Sequence, residues 1–207
     1  DGLGRDVDSD KARKWYAKAL AAFLAAEEEK PGRYLEYRIG KMYAAGLGTE
    51  QDYAKAAGWF EKSTKQNYRY AQYSLGSLYY QGKGVEQDYG EAFALYSKSA
   101  TQGFPYACFE LGKMLRDGIG TEKDAAQSEQ YFRMAFSGFR SLEVQSHDDR
   151  LQYRLGWMLL NGVGTDKNLS AAMQYFEKSA LLGNTYAGYQ LAKLILADEA
   201  ASPDKVS

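Results

Sequence analysis

The apolar positions of this chain follow a helical spacing that a glycine turn interrupts at regular intervals. The segment YAKAAGWFEKS, which follows Asp52, places apolar residues three and four positions apart, as on one face of a helix. The pattern Gly-x-Gly occurs five times, beginning at Gly2, Gly46, Gly82, Gly118 and Gly162. The intervals are 44, 36, 36 and 44 residues. A period of this length indicates an array of repeated structural units.

Each glycine turn is followed by residues that favour the start of a helix. Four positions after the second glycine stand Asp8, Asp52, Asp88, Asp124 and Asn168. Their side-chain oxygens can accept hydrogen bonds from the unpaired N–H groups of a first helical turn. Glycine suits the left-handed C-terminal cap of the preceding helix. Each module is therefore predicted to hold two antiparallel helices. We call them the post-corner helix, which follows the Asp or Asn, and the Leu-Gly helix, which carries a pair such as Leu75-Gly76.

A glycine-rich turn before a helix can also bind phosphate, but the residues here argue against it. A phosphate-binding loop needs Lys followed by Ser or Thr after its last glycine. In GLGTEQDYAKA the acidic residues Glu50 and Asp52 occupy the helix start and would repel an anion. The sequence therefore predicts a structural corner.

These modules resemble the Sel-one-like repeats, relatives of the tetratricopeptide repeats. The resemblance is carried by Leu75-Gly76 through Gly84 and by Asp52 through Ser63, and it covers the chain from Gly2 to about Asp198. It implies an all-α fold, a right-handed α/α superhelical solenoid of about five two-helix repeats. It also implies a scaffold or adaptor for other proteins, with the Leu-Gly helices lining a concave face. We expect residues 1–198 to form one array and residues 199–207 a polar tail.

Small and aromatic residues recur at fixed positions of the Leu-Gly helices. Glycine inside a helix costs up to about 1 kcal/mol relative to alanine, so its recurrence predicts close helix–helix approach. The small residues are Gly40, Gly76, Gly112, Gly156 and Ala192. The recurring aromatic residues, which we assign mainly to packing, are Tyr37, Tyr73, Phe109, Tyr153 and Tyr189.

Two modules are eight residues longer than the others. We expect their post-corner helices to extend to about Lys30 and to about Gln145. The spacing of the two fits either a three-module unit used twice or two independent insertions, and the sequence does not separate these.

Composition excludes several classes of protein. The net charge is -1, so the chain lacks the net positive charge typical of proteins that bind bulk nucleic acid or an anionic membrane directly. The apolar runs are too short to span a bilayer. A single cysteine, Cys108, excludes a disulfide framework and mildly favours a reducing compartment such as the cytoplasm. Because the chain begins at Asp1 inside a corner, we expect it to be part of a longer protein.

Catalytic chemistry is not indicated. The one histidine, His147, lies in SHDD, where a turn with Asp149 as helix cap is the favoured interpretation over a metal site. Nothing brings His147 and Cys108 together, and no HExxH, GxSxG or Walker motif is present. We therefore predict a non-enzymatic scaffold with no catalytic residue, metal or cofactor. The alternative is an accessory repeat region of a larger enzyme, for example a mobile-element DNA-processing protein.

The partner surface is predicted from those positions of the Leu-Gly helices that are not assigned to packing between helices. One position carries Lys41, Ser77, Lys113, Trp157 and Lys193, and another carries Arg38, Ser74, Glu110, Arg154 and Gln190. A third carries Glu36, Gln72, Cys108, Gln152 and Gly188. The hypothesis is a mildly basic face that binds an acidic or mixed-charge peptide, and the alternative is an ordinary solvated face. The residues assigned to it are Arg38, Lys41, Gln72, Ser77, Glu110, Lys113, Arg154, Trp157, Gln190 and Lys193.

Trp157 is the central residue of this hypothesis. Lysine or serine holds its position elsewhere, and exposed tryptophan is enriched among binding hot spots. We expect Lys113 and Lys193 on either side of it and Arg154 one turn away on the same face. The alternative is that Trp157 packs against the unusually long neighbouring helix.

Overall fold

The protein is described by a computed structural model that covers residues 9–144, 146 and 148–201. These residues form ten α-helices and no strand, which confirms the predicted all-α fold. The helices are α1 Ser9–Glu29, α2 Arg33–Ala45, α3 Tyr53–Lys65, α4 Arg69–Gln81, α5 Tyr89–Thr101, α6 Pro105–Asp117, α7 Ala125–Glu143, α8 Asp149–Asn161, α9 Leu169–Leu181 and α10 Thr185–Ala201.

The helices form two compact units. Within the described residues, the first unit comprises residues 9–107 and 117–123, and the second comprises residues 108–116 and 124–201. Helix α6 thus contributes its first turn to one unit and most of its length to the other. Odd-numbered helices are the post-corner helices and even-numbered helices are the Leu-Gly helices.

The glycine turns are helix corners, as predicted. Asp52 Oδ1 accepts a hydrogen bond from the Lys55 amide at 2.8 Å, and Asn168 Oδ1 accepts one from the Ala171 amide at 2.9 Å. Asp88 and Asp124 cap α5 and α7 in the same way. The first glycine of each described corner has a positive φ, for example 66° at Gly46. The predicted corner at Gly2 and the cap at Asp8 lie outside the described residues.

Glycines inside the Leu-Gly helices allow the neighbouring post-corner helix to approach closely. A Cβ atom built on Gly40 would lie 2.6 Å from Cε1 of Phe60, and one on Gly156 would lie 2.9 Å from Cδ1 of Phe176. Real Cβ atoms do not come this close to a ring. The predicted close approach is therefore confirmed, with an aromatic ring of the next helix against each glycine.

A recurring serine fixes three of the helix pairs, α2 with α3, α4 with α5 and α8 with α9, at their other end. Ser63 Oγ donates to the Arg33 carbonyl at 2.6 Å, and Ser99 Oγ donates to the Arg69 carbonyl at 2.8 Å. In the second unit Ser179 Oγ donates to the Asp149 carbonyl at 2.6 Å. These serines are fully buried, so each bond satisfies a hydroxyl and a carbonyl that water cannot reach.

The two lengthened helices extend nearly as predicted. Helix α1 ends at Glu29, before Pro31 and Gly32, and α7 ends at Glu143; Gln145 is outside the described residues. The cap of α8 is Asp148 rather than Asp149, which corrects the sequence prediction. Asp148 has the extended backbone of a cap, and its Oδ1 accepts from the Arg150 and Leu151 amides at 2.9 and 3.0 Å. At the end of the chain, α10 continues to Ala201, and the rest of the expected tail is not described.

Candidate functional site

The second unit contains a cavity of about 550 Å³ between the Leu-Gly helices α6, α8 and α10. Its wall combines aromatic rings with positively charged groups. Helix α6 contributes Phe109, Lys113 and Arg116, and α7 contributes Phe132. The remaining lining residues are Arg150, Tyr153, Arg154, Trp157, Asn184 and Tyr186. A volume of this size is typical of pockets that bind a small molecule or a peptide side chain.

Phe109 is the centre of the aromatic wall. Its ring centroid lies 5.5 Å from that of Phe132, 6.1 Å from that of Phe139 and 6.3 Å from that of Trp157. The contacts with Phe132 and Trp157 are edge-to-face, the arrangement in which the positive edge of one ring meets the negative face of another. The wall is therefore held in place by packing among its own rings.

Cations surround this wall, and no carboxylate lines the cavity among the described residues. The Arg154 guanidinium lies 4.8 Å from the Phe109 ring centre and 5.3 Å from that of Phe139. Lys113 Nζ is 2.7 Å from Oε2 of Glu110, so part of its charge is balanced. Arg116 and Arg150 are exposed at the rim. The result is an apolar recess whose opening carries positive charge.

The length of α7 explains why Trp157 faces Phe109. In the regular repeats, the second glycine of a corner packs on the first residue of an earlier post-corner helix. A Cβ on Gly84 would lie 2.2 Å from the carbonyl carbon of Tyr53. On the long helix α7, by contrast, a Cβ built on Gly164 would lie 2.2 Å from the carbonyl oxygen of Phe132. Helix α8 is therefore displaced along α7 by about two turns, which brings Trp157 beside Phe109.

The structure brings three of the predicted site residues together. Lys113, Arg154 and Trp157 all line the cavity, and Glu110 lies at its edge through its ion pair with Lys113. Lys193 is exposed on α10 and is not among the lining residues, so the expected flank of Trp157 on that side is absent from this cavity. Gln190, also on α10, is half-buried and does not line it either.

The other predicted contacts belong to the first unit. Arg38 and Lys41 are exposed on α2. Ser77 on α4 is half-buried, and its Oγ accepts a hydrogen bond from Gln81 Nε2 at 2.7 Å. No described cavity gathers these residues as the α6–α8–α10 cavity gathers Trp157 and its neighbours.

The prediction for Gln72 is wrong. Its side chain is buried: Nε2 donates to Asn67 Oδ1 at 2.8 Å, and Oε1 accepts from Gln102 Nε2 at 2.6 Å. The equivalent residues Glu36, Cys108 and Gln152 are buried as well. At Glu36 and Gln72, a glutamine near the end of the neighbouring helix satisfies the buried side chain, namely Gln66 and Gln102. A buried polar pair of this kind looks like a surface residue in the sequence.

Trp157 is half-buried rather than exposed, because it packs on Phe109 and joins the apolar cluster around Leu159 and Phe176. The ring therefore packs on Phe109 of α6 and also lines the cavity. Sequence reasoning missed Arg150 and Tyr186 as lining residues. For Arg150 the signal was a change of residue type, since it stands where other repeats have Tyr70 and Tyr106; Tyr186 is the usual tyrosine of that position and carried no such signal.

The single cysteine has no sign of reactivity. Cys108 is buried, and burial raises the pKa of its thiol to about 11, so the thiolate that a nucleophile requires is rare at neutral pH. His147, the other residue considered for chemistry, lies outside the described residues. Among those described, no three His, Cys, Asp or Glu side chains are grouped as metal ligands would be. No described helix combines the length and apolar character needed to cross a bilayer.

Comparison with known proteins identifies similar repeats in a protein family and in solved structures. The family model described as Sel1 repeat matches residues 1–22, 34–68, 69–104, 105–138 and 150–184. A search of curated proteins gave no match. Among solved structures, a Sel1 repeat protein from Oxalobacter formigenes is 30% identical, with a TM-score of 0.60, and the match covers 88% of this chain and 71% of that one.

Two further solved structures are similar. A protective antigen of uropathogenic Escherichia coli strains, which displays the same repeat fold, is 31% identical with a TM-score of 0.60 over 86% of this chain. This chain spans only 36% of the length of that antigen. An immunity protein from Pseudomonas aeruginosa is 19% identical with a TM-score of 0.50; the match covers 88% of this chain and 70% of that one and shows the fold alone. The repeat matches and the similarity to a solved Sel1 repeat protein over 88% of this chain together show that the chain belongs to the Sel1 repeat family.

Proposed function

We propose that this chain binds a peptide segment of another protein in the α6–α8–α10 cavity. Sel1 repeat proteins are typically non-enzymatic scaffolds for protein interactions. The observation that carries the finer proposal is the lining itself: five aromatic rings and four cations, with no carboxylate among the described lining residues. Such a lining suits a segment in which an apolar side chain enters the recess while neighbouring Asp or Glu residues meet the cations.

The aromatic residues and the cations of the cavity have separate roles in binding. Aromatic residues near the centre of an interface, shielded from water by their surroundings, supply most of the binding energy at hot spots. Trp157 and Phe109 have this placement. The cations at the rim, Arg150 and Arg116, guide an acidic segment to the site and increase the association rate. Arg38, Lys41 and Lys193 remain predictions as further partner contacts outside this cavity.

A selection experiment tests the proposal directly. Displayed random 12-residue peptides would be selected on the folded protein and then screened against Trp157→Ala. We expect enriched peptides to contain an apolar residue flanked by Asp or Glu. Failure to enrich any sequence, or enrichment of basic sequences, would contradict the proposal.

Trp157→Ala should weaken binding of a selected peptide by about 2 kcal/mol or more, the scale of a hot spot. Because the ring is half-buried, the substitution should also lower the free energy of unfolding. Binding must therefore be measured by calorimetry at a temperature where both proteins are folded. Trp59→Ala is the matched control, since Trp59 is also half-buried but lies on α3, away from the cavity. Equal affinity of wild type and Trp157→Ala would show that the ring is only a packing residue.

A further inference from the structure

We propose that the anchor of the bound segment is an aromatic side chain, Phe or Tyr, and that its ring takes the place, beside Tyr153 and Tyr186, of a ring missing from the third of three equivalent helix sets. This inference rests on the proposed function and specifies the residue that the cavity selects. It comes from comparing three equivalent sets of helices: α2 with α3 and α4, α4 with α5 and α6, and α8 with α9 and α10.

In the first two sets, three aromatic residues pack against one another. Tyr68, at the start of α4, lies 5.4 Å from Tyr37 and 5.2 Å from Tyr70 between ring centroids. One repeat later, Phe104 lies 5.2 Å from Tyr73 and 5.4 Å from Tyr106. In both copies a ring of the protein itself thus packs beside two tyrosines, whose own centroids lie 6.0 Å apart for Tyr37 and Tyr70 and 6.2 Å apart for Tyr73 and Tyr106.

The third set preserves the contacts that surround these aromatic residues. The ring of Tyr153 lies 5.6 Å from Phe176, close to the 5.9 Å between Tyr37 and Phe60. Ser179 donates to the Asp149 carbonyl just as Ser63 donates to the Arg33 carbonyl. The outer tyrosine is also present as Tyr186. The helices are therefore paired in the same register as in the first two sets.

The third set lacks one of the three rings, because Asn184 occupies the repeat position of Tyr68 and Phe104. Its side chain is held away from this role: Oδ1 caps α10 by accepting from the Ala187 amide at 3.0 Å, and Nδ2 donates to Asp149 Oδ2 at 3.0 Å. Tyr186 is 75% exposed, whereas Tyr70 and Tyr106 are half-buried. Tyr153, Asn184 and Tyr186 all line the cavity.

The chemistry of this position favours an aromatic occupant with acidic neighbours. A ring there would meet Tyr153 and Tyr186 at the centroid distances at which aromatic pairs are stabilised, about 4.5–7 Å. Arg150 and Arg154, which line the same cavity, would meet carboxylates on the residues beside the anchor. An aliphatic side chain would fill the volume but would gain nothing from ring–ring geometry.

The test uses three synthetic peptides, acetyl-Asp-Glu-X-Glu-Asp-amide, in which X is Phe, cyclohexylalanine or Ala. Binding to the whole chain would be followed by ¹H–¹⁵N NMR titration. We expect the Phe peptide to bind about 2- to 12-fold more tightly than the cyclohexylalanine peptide, the range measured for aromatic pairs. The Ala peptide should bind most weakly.

Asn184→Phe supplies the missing ring from the protein itself. It should reduce affinity for the Phe peptide at least tenfold while the NMR spectrum stays that of the folded protein. Asn184→Ser is the matched control, because serine can still cap α10 but adds no ring; it should retain binding. If Asn184→Phe proves unstable, the three peptides on the wild type still decide the question.

The outcomes separate this inference from the function on which it rests. Equal binding of the Phe and cyclohexylalanine peptides, with both lost in Trp157→Ala, would overturn the aromatic anchor and leave peptide binding intact. Unchanged binding in Asn184→Phe would overturn it as well. Absence of binding by all three peptides, with no acidic sequence selected from the random library, would overturn both.

Discussion

At the scale of single residues, the buried carboxylate of Glu36 shows how one position can be polar and internal at once. Its Oε2 accepts from Gln66 Nε2 at 2.7 Å. Burial, and next the nearby charge of Glu27, raise the pKa of this carboxyl group; Lys62 and the hydrogen bond from Gln66 oppose the shift. The ionised form is therefore less stable in the folded protein than in the unfolded chain.

We predict that Glu36→Gln stabilises the protein at pH 7. Gln72 already makes the equivalent bond to Gln102 one repeat later, so the amide fits this position without the cost of a buried charge. Because the folded pKa lies above the unfolded value, the wild type gains stability as the pH falls through the folded pKa towards about 4.5.

The advantage of Glu36→Gln should therefore narrow over that range, as measured by urea unfolding at a series of pH values. Exposed Glu61, changed to Gln, is the control for loss of a negative charge from the same unit. A pH-independent difference would show that ionisation of Glu36 is not the cause.

At the scale of helices, two glycines of the first unit predict opposite effects of the same substitution. Gly40→Ala would push a methyl group to 2.6 Å from the Phe60 ring, and overpacking of this kind typically costs about 1–3 kcal/mol. Gly58 lies in α3 with no neighbouring atom within 4 Å of an added Cβ. Gly58→Ala should therefore stabilise by up to about 1 kcal/mol through helix propensity. Equal effects in urea unfolding would mean that α2 and α3 are less closely packed than described.

The sequence predicted these helices well because their boundaries depend on local chemistry. Asp52 and Asn168 cap helices with their own side chains, and Gly46 ends α2 with its own backbone conformation. Positions such as Gln72 could not be assigned in this way. Whether its amide is exposed depends on Gln102, 30 residues away in the chain. Helix periodicity alone does not show such a bond.

At the scale of the whole molecule, the net charge of -1 hides a local surplus of cations at the cavity. We predict that binding of an acidic peptide weakens as salt increases, although total charge gives no such expectation. Lys113→Glu should slow association and reduce the salt dependence, with a smaller effect on dissociation. Lys65→Glu, at an exposed position of α3 outside the cavity, is the control and should leave both rates unchanged. Stopped-flow kinetics at several salt concentrations would measure this, and salt-independent association would contradict it.

The cavity itself was only partly predictable from the sequence. Lys113, Arg154 and Trp157 were identified because they depart from packing positions or share a helix face. Tyr186 was not identified, because its role depends on Asn184. Asn184 lies two residues before it, at a repeat position where other copies have an aromatic residue. The juxtaposition of Trp157 and Phe109 depends on the two-turn displacement along α7, which insertion length indicates but does not locate.

That displacement also constrains how such arrays can change in length. A helix turns by about 100° per residue, so a shift of about seven residues presents nearly the same face to its neighbour. Gly164 consequently meets on α7 the kind of backbone surface that Gly84 meets on α3. An insertion of two residues would instead rotate the receiving surface by more than half a turn and place side chains under the glycine. A post-corner helix can therefore lengthen by about two turns and still present a similar surface to the glycine of the next corner. Such a change moves the following Leu-Gly helix along it and preserves the contact between the repeats.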